Sequence, residues 1–287
     1  MINKIGILGC QSKHAEFFGS LFNVENAFPG YSAPFIFGND APQRLPYVQK
    51  TAHIPTVCKS TQEIIDRSDA LIITYRIGHA HVQPAIDCIS NGKPVFIDKP
   101  FTSTVDEVLT ITNASLSHQV AVMGGSTLCF DPKLQREIGA QQSPSFAVIA
   151  YRADVHSPFG GYSFYGSHLT DLCSLLFSSP PLSVSCQKME EAVTTSVRFP
   201  QQLALLHSTP DFSKPQLCLS TKNSLTKLTL DDQRCYFYGM QAFIKLIEKG
   251  QPDRKNLKRM VSSIQILNAM MRSLETGEET SITPQKT

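Results

Sequence analysis

The sequence predicts an α/β protein, with a doubly wound parallel sheet in residues 1–125 and an α+β region with a largely antiparallel sheet in residues 126–287. Three observations predict it. Apolar strand-like runs alternate strictly with helical stretches as far as Gly124-Gly125, the pattern of parallel strands joined by crossover helices. After Pro132 the apolar runs follow one another with few helices between them, as hairpin-connected strands do. A chain of 287 residues is also long enough for two domains of ordinary size.

Residues 4–9 read as the first strand, closed by Gly9, and Ser12 is placed to cap a helix over 13–24. A second strand over 33–37 ends in Gly38-Asn39-Asp40, and residues 55–57 form a short third. Ser60 opens a helix to Arg67, residues 69–74 form the fourth strand and end in Thr74, and a helix over 80–91 is stopped by Gly92. Val95, Phe96 and Ile97 make an unalternated apolar run after Gly92 and Pro94, which fits a strand buried on both faces. This strand delivers Asp98, Lys99 and Pro100 to the carboxyl edge of the sheet, where such folds hold their ligands. A helix from Ser103 or Thr104 leads to a sixth strand over 120–123. Six strands in this span make a complete Rossmann unit.

In the second region a helix over 132–139 precedes strands near 146–151, 182–188, 193–199, 203–207, 216–220 and 225–230. One helix, over 165–177, interrupts them. Two helices close the chain. The first covers 238–249 and ends at Gly250; the second carries Leu257, Val261, Ile264, Leu267, Met271 and Leu274 at steps of three and four, a single buried face. The tail after Glu275 reads as loose.

Composition narrows the function. An apolar fraction of 41%, a charged fraction of 17% and a net charge of +2 describe a globular protein, and no basic block or basic-aromatic patch points to nucleic acid. The eight cysteines form no C-x-x-C pair, so they read as reduced thiols of a cytoplasmic protein rather than disulfides or a metal site. Met1-Ile2-Asn3 runs straight into the first strand without the zones of a leader, and no run approaches the roughly 18 apolar residues of a membrane span. The expectation is a soluble, cytoplasmic protein with no membrane partner.

Chemistry concentrates in two places. Lys99 follows the buried strand, and Gly166-Ser167-His168-Leu169-Thr170-Asp171 sets His168 and Asp171 three apart on one side of a helix. A carboxylate that holds one imidazole nitrogen leaves the other to exchange a proton near neutral pH.

The first strand with its glycine, the fourth strand, His81, Gly92-Lys93, the Asp98-Lys99-Pro100 turn and the Gly-x-His-x-x-Asp helix together resemble the Gfo/Idh/MocA family of nicotinamide-dependent oxidoreductases, across essentially the whole chain. The family's usual tripeptide is Glu-Lys-Pro, commonly with a cis Lys-Pro bond, so Asp98 is a shortened acid and Lys99 the matching lysine. The resemblance implies that Lys99 holds the reacting hydroxyl or carbonyl near the nicotinamide and that His168 is the acid/base group. Asp171 would orient His168 or bind a substrate hydroxyl. Arg76, His81, Tyr162 and Tyr165 would offer polar contacts to a polyol. The cofactor, NAD or NADP, would lie against Gly9, Gln11, Ser12, Asn39, Asp40, Thr74, His81, Asp98 and Lys99.

Some positions depart from the family pattern. Gln11 and His14 stand in a loop that usually reads Gly-x-Gly-x-x-Gly, Asn39 and Asp40 share the place of the ribose-binding acid, and Cys129 stands where an arginine often occurs. The leading expectation is hydride transfer between NAD(P) and a sugar, inositol-like or related polyol by a homo-oligomer. The alternative is a metabolite-binding or regulatory protein on the same fold that has lost hydride transfer.

Overall fold

The computed structural model describes residues 4–140 and 143–283, so Met1-Ile2-Asn3 and the last four residues of the tail lie outside the described residues. The chain divides into two compact units. The first holds the residues through Thr102, Asp106–Gly124 and Tyr236–Leu257; the second holds Ser103–Val105, Gly125–Cys235 and the residues from Lys258 on. Residues 236–257 therefore belong with the N-terminal sheet, although they follow the second sheet in sequence.

In the first unit, β1 (Lys4–Leu8), β2 (Ser32–Phe37), β3 (Thr56–Val57), β4 (Ala70–Ile73), β5 (Val95–Ile97) and β6 (Val122–Gly124) form one sheet in the order β3-β2-β1-β4-β5-β6. Every neighbouring pair is parallel. Strand order reverses between β1 and β4, so the loops leaving their carboxyl ends diverge and open the crevice that this topology offers to ligands. β5 is fully buried along its length, as its apolar run predicts.

The crossover helices are α1 (His14–Asn23), α2 (Leu45–Ala52), α3 (Thr61–Arg67), α4 (Val82–Ser90) and α5 (Val105–His118). Ser60 caps α3 by accepting the Glu63 amide at 3.1 Å, while Glu63 takes the Lys59 amide at 2.7 Å. Ser12 does not cap α1 in that way; its hydroxyl accepts the His14 amide, two residues on, at 3.2 Å. α2 has no counterpart in the sequence expectation. Only Val48 and Ala52 are buried in it, too few to write a helical period, and it is anchored where Ala52 meets the bare face of Gly19 in α1.

In the second unit the elements are α6 (Pro132–Ala140), β7 (Phe146–Ala150), α7 (Ser163–Leu176), β8 (Ser183–Met189), β9 (Ala192–Arg198), β10 (Leu203–Ser208), β11 (Gln216–Ser220) and β12 (Leu225–Thr229). The chain then passes through α8 (Cys235–Lys249), α9 (Arg254–Thr276) and β13 (Thr280–Ser281). The sheet runs β12-β11-β7-β10-β9-β8-β13, antiparallel throughout except for the parallel β7–β10 pair.

Three details differ from the sequence expectation. α8, apart from its first residue, packs in the first unit, where Phe243 meets Phe96 of β5 at 5.7 Å between ring centroids. α9 buries more than one stripe: Met260, Ile266, Ala269 and Met270 join Leu257, Val261, Ile264 and Leu267, whereas Met271 and Leu274 are half-buried. The tail is not loose as far as Thr283, because Thr280 and Ser281 pair with Val184 and Ser183 of β8.

Candidate active site

The first unit presents its functional groups at the carboxyl edge of β1, β2, β4 and β5. Gly9 leaves β1 with φ +96°, and a Cβ there would lie 3.0 Å from the Tyr75 amide nitrogen and 3.1 Å from Thr74 backbone, so both conformation and space require glycine. The next residues are held from three sides. Asp40 accepts the Cys10 amide at 2.9 Å and the Gln11 amide at 3.0 Å through its two carboxylate oxygens. Arg44 Nε donates to the Cys10 carbonyl at 3.0 Å, Arg76 Nε to the Gln11 carbonyl at 3.3 Å, and Arg44 is itself paired with Glu16. Ion pairs and side-chain bonds thus fix a loop in which Gln11 and His14 replace glycine. Burial, followed by the Asp40 charge, pushes the Cys10 thiol up to about 12, leaving it an inert packing group.

Asn39 and Asp40 separate cleanly. Asn39 accepts from the Tyr75 hydroxyl at 3.2 Å, while the charged neighbour holds the loop. Thr74 is fully buried, with its hydroxyl 3.0 Å from the Gly9 carbonyl oxygen, and acts as a brace between β1 and β4. His81 is also a brace. Its imidazole is fully buried, with Nε2 2.7 Å from the Tyr75 carbonyl and Nδ1 3.2 Å from that of Phe101. Burial lowers its pKa, so the neutral ring donates through one nitrogen and presents no face to a cofactor or polyol, contrary to the sequence expectation.

Asp98 and Lys99 leave β5 almost completely buried, at 2% and 4% exposure, and the Lys99–Pro100 peptide is cis. Burial works to raise the Asp98 pKa, but His14, the Lys99 charge and the Lys99 amide outweigh it and hold the carboxyl below its ordinary range.

In the second unit, α7 places His168 and Asp171 on the same side, yet they do not bond to each other. Ser126 stands between them: its amide donates to Asp171 Oδ2 at 2.5 Å and its hydroxyl lies 2.6 Å from His168 Nδ1. Arg259 of α9 donates to Asp171 Oδ1 at 3.0 Å, so both carboxylate oxygens are engaged away from the imidazole. The expectation that Asp171 directly orients His168 is corrected accordingly; Ser126 has that position. Gly125, at φ +80°, permits the approach, since a Cβ would lie 2.5 Å from Asp171 Oδ2.

A hydroxyl on Nδ1 can either accept or donate, and it therefore suits an imidazole that changes protonation state. The His168 ring lies 5.5 Å from that of Tyr151 and 6.2 Å from that of Tyr165. Tyr162, expected as a polyol contact, is instead a core residue whose hydroxyl pairs with Ser208 at 3.0 Å.

Sequence reasoning missed Ser126 and Arg259. Their only signals were a serine just after Gly124-Gly125 at a strand's carboxyl end, and an arginine embedded in the apolar face of α9. Arg259 also lies 3.6 Å from Cys129 Sγ, so a guanidinium reaches the residue that takes the place of the family's arginine, but it comes from another helix. Arg259→Met is expected to destabilise the protein by about 3 to 5 kcal/mol, because it strands a buried carboxylate. Denaturant unfolding checks this, and an unchanged midpoint contradicts it.

Residues 4–126 match the family GFO_IDH_MocA, described as an oxidoreductase family with an NAD-binding Rossmann fold. The match spans the parallel-sheet part of the chain, from β1 through β6. No curated protein matches the chain in sequence. Among solved structures, scyllo-inositol dehydrogenase from Lactobacillus casei, with bound NAD(H) and scyllo-inositol, aligns with a TM-score of 0.84 at 12% identity, over 98% of this chain and 99% of that one. Myo-inositol dehydrogenase from Lactobacillus casei, in complex with NAD(H) and myo-inositol, aligns with a TM-score of 0.82 at 14% identity, over 100% and 98%. A probable dehydrogenase from Thermotoga maritima aligns at 0.78 and 16% identity, over 97% and 98%. These likenesses establish a shared fold.

The matched region fits a dinucleotide on its own geometry. Gly9 lets the carboxyl end of β1 lie close against the Thr74–Tyr75 backbone, and Asp40 is anchored at the end of β2, where an acid meets ribose hydroxyls. The Cys10 and Gln11 amides bond to Asp40, the His14 and Ala15 amides to Ser12 and the Glu16 amide to the Lys13 carbonyl, so a pyrophosphate contact from this turn falls to the amides of Ser12 and Lys13.

Proposed function

We propose that this protein is an NAD-dependent oxidoreductase acting on a CH–OH group of an inositol-like or sugar polyol. The observation that carries the reading is the buried Lys99 on the same sheet edge as Gly9 and the loop-anchored Asp40. The inositol ligands of two of the aligned dehydrogenases support the substrate class. Bound NAD supplies a two-electron acceptor for the hydrogen on the substrate carbon. Gly9, Gln11, Ser12 and Asp40 hold the dinucleotide, and the charge of Asp40 favours NAD by opposing a ribose phosphate. Lys99 steadies the developing alkoxide, while His168 takes the hydroxyl proton in oxidation and returns it in reduction. Ser126 sets the imidazole.

Calorimetric titration with NADH and NADPH, followed by turnover on a panel of inositols and sugars, tests this. Preferential NADH binding and reduction of NAD by a polyol are expected. Binding of neither dinucleotide at about 1 mM, the top of the ordinary KM range, overturns it. That result would favour the second reading, a metabolite-binding protein, to which Gln11 and His14 in the loop lend support.

The oligomeric state and location complete the proposal. In β7, β10 and β11 alternate residues are buried, and the others, including Val148, Leu203, Leu205 and Cys218, are half-exposed. A second copy of the chain would cover this partly apolar face. Light scattering at micromolar concentration is expected to give a multiple of the monomer mass, and a monomer contradicts it. All eight cysteines are free thiols, which supports a reducing, cytoplasmic setting. Among the described residues no helix is long and apolar enough to cross a membrane.

A further inference from the structure

His14, the first residue of α1, turns its ring toward the end of β5. Its Nδ1 lies 2.5 Å from Asp98 Oδ2 and its Nε2 lies 2.8 Å from the Tyr236 hydroxyl. The imidazole side chain is 15% exposed and is boxed by rings: Tyr236 at 4.9 Å, and Phe17 and Phe18 at 6.3 Å each. Three stretches far apart in sequence meet here, namely the dinucleotide loop, the Asp98-Lys99 turn and the returning α8, all within the first unit. Asp98 continues the chain by accepting the amide of Lys99.

We propose that His14 is a positioning residue for Lys99, locking the Asp98-Lys99 turn to the loop that receives the dinucleotide. The proposal rests on the reading of Lys99 as the group that steadies the reacting oxygen. Chemically the arrangement is complete. The Asp98 carboxyl is nearly buried and held below its ordinary range, so Nδ1 carries a proton toward it; the Tyr236 hydroxyl, which can donate or accept, matches Nε2 in either charge state of the ring. Fixing the carboxylate in this way fixes the Lys99 main chain, from which the ammonium is hung. A shift of that group by about 1 Å is enough to slow a reaction about a hundredfold. His14 stands where the third glycine of the loop pattern would be, and its side chain fills that space with the clamp.

Two polar substitutions test it. In His14→Asn the amide nitrogen occupies the place of Nδ1 and can still donate to Asp98, whereas in His14→Gln the donor is carried one atom further out. With both variants folded by circular dichroism, His14→Gln is expected to lose about a hundredfold in kcat, with the NADH Kd and the polyol KM near wild type, and His14→Asn to recover most of it. In the ligand-free protein, the Nδ1 proton of His14 is expected far downfield in its NMR spectrum and to move upfield in Asp98→Asn. Equal kcat in the Asn and Gln variants, or an Nδ1 proton at the ordinary position, overturns the proposal while leaving the proposed reaction intact. Full activity in Lys99→Ala, or a wild-type protein that turns over no polyol, overturns both.

Discussion

Replacement of His168 by asparagine is expected to lower kcat by about a hundred- to ten-thousand-fold and to flatten the acidic limb of the pH-rate profile. His168 is 8% exposed, its Nδ1 faces the Ser126 hydroxyl at 2.6 Å, and two tyrosine rings flank the imidazole. In the proposed reaction it must accept a proton as the alcohol is oxidised, so protonation at low pH removes the base and creates the limb. Asparagine retains the polarity and can still meet Ser126, but it does not titrate. The fold is expected to hold, because Asp171 keeps Arg259 and the Ser126 amide. An unchanged acidic limb would assign the proton to another group.

Lys99→Ala is expected to reduce kcat by about a hundred- to a thousandfold, the usual loss when a preorganised donor to a developing oxyanion is removed. The ammonium stands at the end of a strand buried on both faces, so its position is set by the core and needs no help from the substrate. Asp98 retains His14 as its partner in the variant, which limits the damage to folding and to dinucleotide binding. The discriminating comparison is therefore turnover against the thermal midpoint and the NADH Kd. Wild-type turnover in the variant would remove Lys99 from the reaction.

The parts of this fold that were legible in the sequence are those written in short-range pattern. β5 announced itself by three apolar residues after turn residues, α3 by Ser60, and α7 by an apolar helix carrying a glycine, a histidine and an aspartate. The cis peptide after Lys99 agrees with what the family resemblance implied. What was not legible depends on residues far apart in the chain. α2 buries two side chains and leaves no period to read, and β13 exists because β8 offers it an edge. Spacing alone put His168 and Asp171 on one side of a helix, and it could not reveal that Ser126 and Arg259 would take their partners' places. In the same way, Gln11 and His14 looked like defects of a phosphate loop until Asp40, Arg44, Arg76 and Asp98 were seen to hold that loop from outside. His81 is the converse case, a histidine that the resemblance implied as a contact to cofactor and polyol and that is sealed between two main-chain carbonyls.

Transfer of isotope is the most direct test of the proposed reaction. Inositols and sugar polyols deuterated on carbon should be incubated with the protein and NAD, and the dinucleotide recovered for mass spectrometry. The account predicts NADH carrying deuterium from the substrate carbon, with the label lost from the oxidised product. Dinucleotide that binds but returns unlabelled across the whole panel would contradict it.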